Sequence, residues 1–407
     1  MIGHVWPEPN TTAAGERILQ LIQLFQAENH QVVFVSAASE TKHSANLTEL
    51  GIQTSFIHLN DPAFDLLISE LEPDIVIFDR FMVEEQFGWR VAENCPEAIR
   101  ILNTEDLHSL REYRETCFKK NQTFSAPAWL QQDKTKREIA SIYRSDLTLL
   151  TSSFEEKILL EAINIASELL LHLPFMYALP EKQTITGWPT FSERLDFVTY
   201  GNGKHTPNID SFEYLKTTIW PLIRKALPEA KLHVYGAYFS QHLIQMNDPS
   251  NGFLVHGWEQ DLASAVQSAR VLLAPLRFGA GIKGKLTFAM RHGTPSVTTA
   301  IGAEGMHADF PWAGEIEDTP ELFSQKAIAL YQDEQQWQQQ QQNGLTILKN
   351  IYSREQGTKR FIDQLLLIRN SLKTHRAGNF IGALLRHQTM AATKYMGKWI
   401  AEKNKNS

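Results

Sequence analysis

VLLAPLRFGAGIKGKLTFAM, residues 271–290, joins an apolar run to a loop of glycines and three basic residues, and then to a helical pattern. An apolar run that feeds a glycine loop and a helix reads as a buried strand in a βα unit. Gly279 and Gly281 let backbone approach a ligand closely. The free N–H groups and positive dipole end of the helix start favour an anion. Arg277, Lys283 and Lys285 add charge where a phosphate would lie, and such a loop suits a diphosphate. A plain turn with a solvated face has the same composition, and neither GxxxxGK[ST] nor GxGxxG is present.

The same alternation of short strands and amphipathic helices runs outward in both directions. Before the loop stand GHVW (3–6), QVVFVSA (31–37), TSFIHL (54–59), DIVIFD (74–79), IRILNT (99–104) and LTLLTS (147–152). Around it stand DFVTYG (196–201), KLHVYG (231–236), FLVHG (253–257), VLLAP (271–275) and SVTTA (296–300). Two series of βαβ units imply two α/β domains with parallel sheets, joined near ITGWPTFSE (185–193), a stretch rich in turn formers. The expected boundaries are 1–185, 194–371 and a basic amphipathic tail, 372–407. Two doubly wound domains facing one another leave a cleft at their strand carboxyl ends, where open α/β sheets bind ligands.

A chain of 407 residues with 43% hydrophobic and 21% charged residues has the composition of an ordinary two-domain globular protein. The net charge of −7 provides no global attraction to nucleic acid. Cys95 and Cys117 form no disulfide framework or CxxC metal site, which fits a reducing cytoplasm. The start, MIGHVWPEPN, lacks a signal-peptide pattern, and no apolar run of about 18 residues occurs. The Gln-biased DEQQWQQQQQNG (333–344) reads as a solvated helix surface. Residues 372–407 carry seven Lys or Arg against one Glu, with Phe380, Ile381, Leu384, Leu385, Met396, Trp399 and Ile400 as apolar partners. That tail reads either as a helix lying on an anionic membrane or as one packed back over the first domain.

The run APLRFGAGIKGKLTFAMRHGTPSVTTAIGAEGM (274–306) resembles the donor-binding region of bacterial glycosyltransferase family 4, among the group 1 glycosyltransferases. Supporting stretches are HVWPEPNTTAAGERILQLIQLF, NTEDLHSLR (103–111), LLTSSFEE (149–156) and YGNGKHTPNIDSFEYLKTTIWPLIR (200–224). The resemblance covers both halves up to about residue 370. It implies the GT-B fold, two Rossmann-like domains about a cleft, and retaining transfer from a nucleotide-diphosphate sugar, the co-substrate, without a cofactor or catalytic metal. The implied acceptor is a glycan or lipid-linked molecule in cell-surface glycan synthesis, with no nucleic acid partner. A nucleotide-sugar epimerase of the same fold and a non-catalytic sugar-nucleotide scaffold are the alternatives.

In that family two glutamates eight positions apart follow the glycine loop, and the second holds the donor ribose. Ala280 and Phe288 occupy those places here, so both carboxylates are missing. The resemblance implies catalytic roles for His108, which contacts the donor sugar, and Lys283. Donor contacts are expected from Arg277, Gly279, Gly281, Lys283, Lys285, Gly203, Lys204 and Glu304. The acceptor or cleft set is Asn10, Thr12, Gly15, Arg80 and Asp106. Asn10, Thr11 and Thr12 are alternative helix caps, Arg80 and Glu84 either meet an acceptor or pair together, and Glu105 with Asp106 lacks the DxD spacing of a metal site.

Overall fold

The computed structural model describes residues 1–387 and Trp399. Among them, β1 (Ile2–Gly3), β2 (Val33–Ser36), β3 (Gln53–Phe56), β4 (Ile75–Asp79), β5 (Ile99–Asn103), β6 (Leu147–Leu150) and β7 (Leu170–His172) form a sheet in the order β3-β2-β1-β4-β5-β6-β7. β8 (Leu195–Tyr200), β9 (Leu232–Tyr235), β10 (Phe253–Gly257), β11 (Ala269–Ala274), β12 (Ser296–Thr298) and β13 (Gly314–Ile316) form the second, in the order β10-β9-β8-β11-β12-β13. Every pairing within the two sheets is parallel. Strands such as β6 and β11 are buried nearly throughout because helices cover both faces, which is why they read as continuous apolar runs. β7 and β13 lie outside the runs read as strands in the sequence.

Each sheet reverses its strand order at one point, between β1 and β4 and between β8 and β11. Loops leaving those strands diverge and leave a crevice. The crevice of the first domain opens between residues 4–12 and Asp79–Arg80, and that of the second between residues 201–205 and the glycine loop.

The helical segment Arg354–Gly378 is kinked at Ser371, with φ −133° and ψ 26°, at the expected boundary, but it reaches the first domain before that point. Phe361, Leu365 and Ile368 join Phe25, Ile101 and Leu149 in the core of the first domain, so the chain crosses back well before the tail begins. Burial of these three side chains against the first domain supplies the reason. The described part of the tail continues there. Arg376 grips Asp146 and the carbonyl oxygens of Pro96 and Ala98, while Asn379 and Arg386 donate to the carbonyl oxygens of Tyr143 and Arg144. Phe380, Ile381 and Leu384 stay exposed, as does Trp399, while Met396 and Ile400 lie outside the described residues. The Gln-biased segment is helical, Glu334–Ile351, and buries Trp337 beneath its polar face.

Candidate functional site in the cleft

The glycine loop is built as its composition requires. Gly279 and Gly281 have φ of 152° and 64°, and a Cβ on Gly281 would lie 2.7 Å from that of Asp106 in the facing domain. Two ammonium groups follow. Lys283 and Lys285 are 8% and 9% exposed; Lys283 donates to the Gly281 carbonyl at 2.8 Å and Lys285 to Asn208 Oδ1 at 2.9 Å. Among the described residues neither has a carboxylate within 4.0 Å. Burial pushes their pKa values down to about 8 and about 7. Lys283 also begins the helix Gly284–Arg291 without a side-chain cap. Two buried cations at an uncapped helix start are costly unless an anion joins them.

The other basic residue of the loop is committed elsewhere. Arg277 makes a two-pronged ion pair with Asp210, at 2.9 and 2.6 Å, and its guanidinium lies between the rings of Phe118 and Tyr214. Glu304 likewise spends its carboxylate on Arg114, at 2.6 and 2.8 Å, and Arg114 donates to the Gly279 carbonyl at 3.0 Å. Arg114 therefore ties the first domain to the glycine loop. Gly203 sits where a Cβ would strike the Tyr238 carbonyl at 2.7 Å, so its place is one of close loop packing. Lys204 is exposed, with its ammonium 3.9 Å above the Tyr238 ring.

Opposite the loop, His108 opens the helix His108–Lys119, its Nε2 3.3 Å from Asp106 Oδ1. Burial, opposed by Asp106 and reinforced by Arg111 and Arg80, lowers its pKa to about 3, so the imidazole is neutral. The backbone amides of His108 and Ser109 are taken by Glu138 at 2.8 and 3.0 Å, which leaves this helix start no room for a phosphate. Burial pushes the Asp106 carboxyl up, but Arg111, His108 and His205 hold it below the usual range. Glu105 turns toward Asn103 at 2.7 Å, so the two acidic neighbours have separate partners. Among the described residues no group of three or more His, Cys, Asp or Glu is placed to hold a metal ion.

Thr12 caps the helix Ala13–Ala27 by accepting from the Gly15 amide at 3.0 Å. A Cβ on Gly15 would lie 2.4 Å from the Glu8 backbone, which accounts for a glycine there. Thr12, Gly15, Arg80 and Lys204 line a cavity of about 240 Å³ between the domains; Asn10 is exposed outside it. Glu84 pairs with Arg144 rather than Arg80.

Sequence reasoning passed over Glu155, although it lies within LLTSSFEE. Its buried carboxyl accepts from the amides of Leu107 and Gly281, both at 2.9 Å, and so bridges the domains. Burial, with help from Asp106, raises its pKa from 4.5 to about 8. Between those values the folded protein holds a proton that the unfolded chain has lost, so this group's contribution to stability falls as pH rises. Glu155→Gln keeps an accepting oxygen and removes the titration. Urea melts are expected to show little change at pH 5 and a more stable variant at pH 8; a variant destabilised at pH 8 would contradict the assignment.

Residues 194–333 match the family model described as glycosyl transferases group 1. No curated protein matches the chain in sequence. Solved structures that share its architecture include the following three. Alr3699/HepE of Anabaena, in complex with UDP-glucose, is 10% identical with a TM-score of 0.65, over 89% of this chain and 98% of that one. Sucrose-phosphate synthase from Thermosynechococcus elongatus is 16% identical with a TM-score of 0.67, over 91% and 98%. The lipopolysaccharide outer core galactosyltransferase WaaB is 12% identical with a TM-score of 0.59, over 90% and 98%. The two facing sheets are thus those of the GT-B fold, and the second domain is the part of the chain that matches the group 1 glycosyltransferase model.

Within that frame, Ala280 packs against the core of the first domain. Phe288 lies edge-on to Tyr200, with ring centroids 5.8 Å apart, and against His292 at 4.1 Å. The place where the resemblance expects a ribose-binding carboxylate is an aromatic contact.

Proposed function

We propose that this chain is a retaining glycosyltransferase that moves a sugar from a nucleotide-diphosphate donor to an acceptor hydroxyl, in the synthesis of a cell-surface glycan. The observation that carries the reading is the pair of buried ammonium groups, Lys283 and Lys285, neither in an ion pair within 4.0 Å among the described residues, beside an uncapped helix start at a topological switch point. Departure of the sugar leaves negative charge on the diphosphate, and preorganised cations in a site shielded from water stabilise it. Neutral His108 would position the sugar through hydrogen bonds. The Arg114 and Glu155 bridges would hold the domains closed and keep water from the donor. The UDP-glucose complex of HepE supports a nucleotide-sugar donor.

Work at the cytoplasmic membrane face belongs to the same proposal. Among the described residues no helix is long and apolar enough to cross a membrane. The basic tail, with Phe380, Ile381 and Leu384 exposed, suits peripheral contact with an anionic surface.

A calorimetric and thermal-shift panel of nucleoside diphosphates and their sugars tests the donor. A ligand at 100 times its Kd stabilises the fold by about 2.7 kcal/mol. The expected result is selective binding of one sugar nucleotide, followed by transfer with the anomeric configuration kept, as read by NMR. Binding without transfer to any acceptor would favour the scaffold reading, for which Ala280 and Phe288 are the motive. No binding at all would overturn the proposal.

A further inference from the structure

Three neighbouring strands of the second sheet bring a carboxylate and two imidazoles into line. Leu232 and Val234 of β9 enter the core on one face of that sheet, so His233 and Tyr235 point to the other. Asp196 of β8 stands on one side of His233, and His256 of β10 on the other. None of the three lines the cavity between the domains or belongs to the glycine loop.

His233 joins its neighbours through both ring nitrogens. Nε2 lies 3.2 Å from Asp196 Oδ2, and Nδ1 lies 2.9 Å from His256 Nε2. Asp196 also accepts from the Lys231 amide at 2.9 Å. Burial pushes the Asp196 carboxyl up, but the hydrogen bonds from His233 and Lys231 hold it below its usual range, so it is charged at neutral pH. A carboxylate can only accept, so Nε2 of neutral His233 carries the proton and Nδ1 presents its lone pair. Burial, followed by the nearness of His233, lowers the pKa of His256 as well. The Tyr235 ring covers one face of His256, with centroids 4.6 Å apart and planes 14° from parallel.

The backbone is irregular at both outer residues. Val255 pairs with Val234 and Gly257 with Tyr235, which leaves His256 as the extra residue of a β-bulge. Bulges re-aim side chains. Asp196 has φ of 62°, a left-handed conformation that few residues other than glycine adopt. A chance hydrogen bond on a sheet surface needs neither departure, whereas a set of ligands held in fixed geometry does.

We infer that His233 Nδ1 and His256 Nε2 bind a divalent first-row transition metal, with Asp196 bracing His233 from behind. Their spacing selects the ion. Two nitrogens at the roughly 2.0–2.1 Å of a metal–imidazole bond lie about 2.8–3.0 Å apart at a right angle, and about 3.3–3.4 Å apart at the tetrahedral angle. The observed 2.9 Å is the distance between adjacent corners of a square-planar or octahedral shell, which suits Cu²⁺ or Ni²⁺ rather than Zn²⁺. Two protein nitrogens and water make up that shell. Both imidazoles bind as neutral ligands, and the proton on His256 Nε2 moves through solvent to its Nδ1. Asp196 holds the remaining N–H of His233 and so fixes the tautomer that can bind. The ion ties the edge strand β10 to β9 and, through Asp196, to β8.

The test is calorimetric titration of CuCl₂, NiCl₂ and ZnCl₂ into the full, tag-free chain, with the copper environment read by electron paramagnetic resonance. Stoichiometric Cu²⁺ binding is expected, at least tenfold tighter than Zn²⁺, with hyperfine splitting from two nitrogens. His233→Asn and His256→Gln should each abolish it. Asp196→Asn separates a built site from a chance pair of histidines. Asparagine tolerates positive φ and leaves both ligating nitrogens in place, yet copper affinity should fall about 10- to 100-fold. Copper bound as tightly by Asp196→Asn as by the unaltered chain, a two-nitrogen signal that survives either histidine change, or no stoichiometric binding overturns the inference. UDP titrated in parallel keeps the transferase reading separate, since neither result bears on the other.

Discussion

Replacing Lys285 with methionine is expected to make the unliganded protein more stable and its donor binding about 10- to 150-fold weaker. Both effects have one cause. The ammonium sits 9% exposed, donates to Asn208 Oδ1 and lies 5.8 Å from the centre of the Phe212 ring, and burial lowers its pKa from 10.5 to about 7. Below pH 7 the folded protein must keep an unfavourable charge. Between about 7 and 10.5 it sheds a proton that the unfolded chain retains, so stability rises with pH through that window. The gain from Lys285→Met is therefore largest below pH 7 and fades toward pH 10.5, as urea melts at a series of pH values would show. Affinity moves the other way because a hydrogen bond to a charged group, worth about 1.5–3 kcal/mol, is lost. A bound diphosphate would also draw protons onto Lys283 and Lys285, so calorimetry near pH 8 in buffers of different ionisation enthalpy should register proton uptake, reduced in the variant. UDP bound equally well by both proteins would remove the lysine pocket from the donor site.

Arg114→Ala is expected to open the cleft. Arg114 is 7% exposed, packed on Phe154 and Phe124, and holds Glu304 through two bonds and the Gly279 carbonyl through a third. Its removal leaves Glu304 without its cation beside the glycine loop. Loss of one partner from a buried pair costs about 3–5 kcal/mol, which here falls on the closed arrangement. The radius of gyration from small-angle scattering should rise, and kcat/KM should fall on the order of a hundredfold as the loop loses register with His108. Arg114→Lys should rescue little, since a single ammonium cannot reproduce the two-pronged geometry. Scattering and turnover both unchanged would show that Glu155 and the Glu16–Arg291 pair suffice to hold the domains together.

The pattern of the chain announced both sheets because each central strand is covered on two sides and must be apolar throughout. Among the described residues ten strands overlap the short apolar and β-branched runs well, β1 shares only Gly3 with its run, and β7 and β13 fall outside the runs. The glycines of the loop were legible for a local reason, since Gly279 and Gly281 both take positive φ. Residues 354–371 were not, because a helix with one apolar stripe packs equally well on either domain until the distance across the cleft is known.

Side-chain chemistry divides along the same line. From the sequence alone came the two-domain α/β plan, the glycine loop with its two lysines, and the absence of both expected carboxylates at 280 and 288. Only the tertiary structure decided which charges are paired: Arg277 is neutralised by Asp210, 67 positions away, and Glu304 by Arg114, 190 away, whereas Lys283 and Lys285 are buried with no ion pair within 4.0 Å among the described residues. Spacing along a chain sets which backbone can turn and which face is apolar. Whether a charge keeps its partner, its proton or its place for a ligand depends on what folding brings beside it and on how much water is removed.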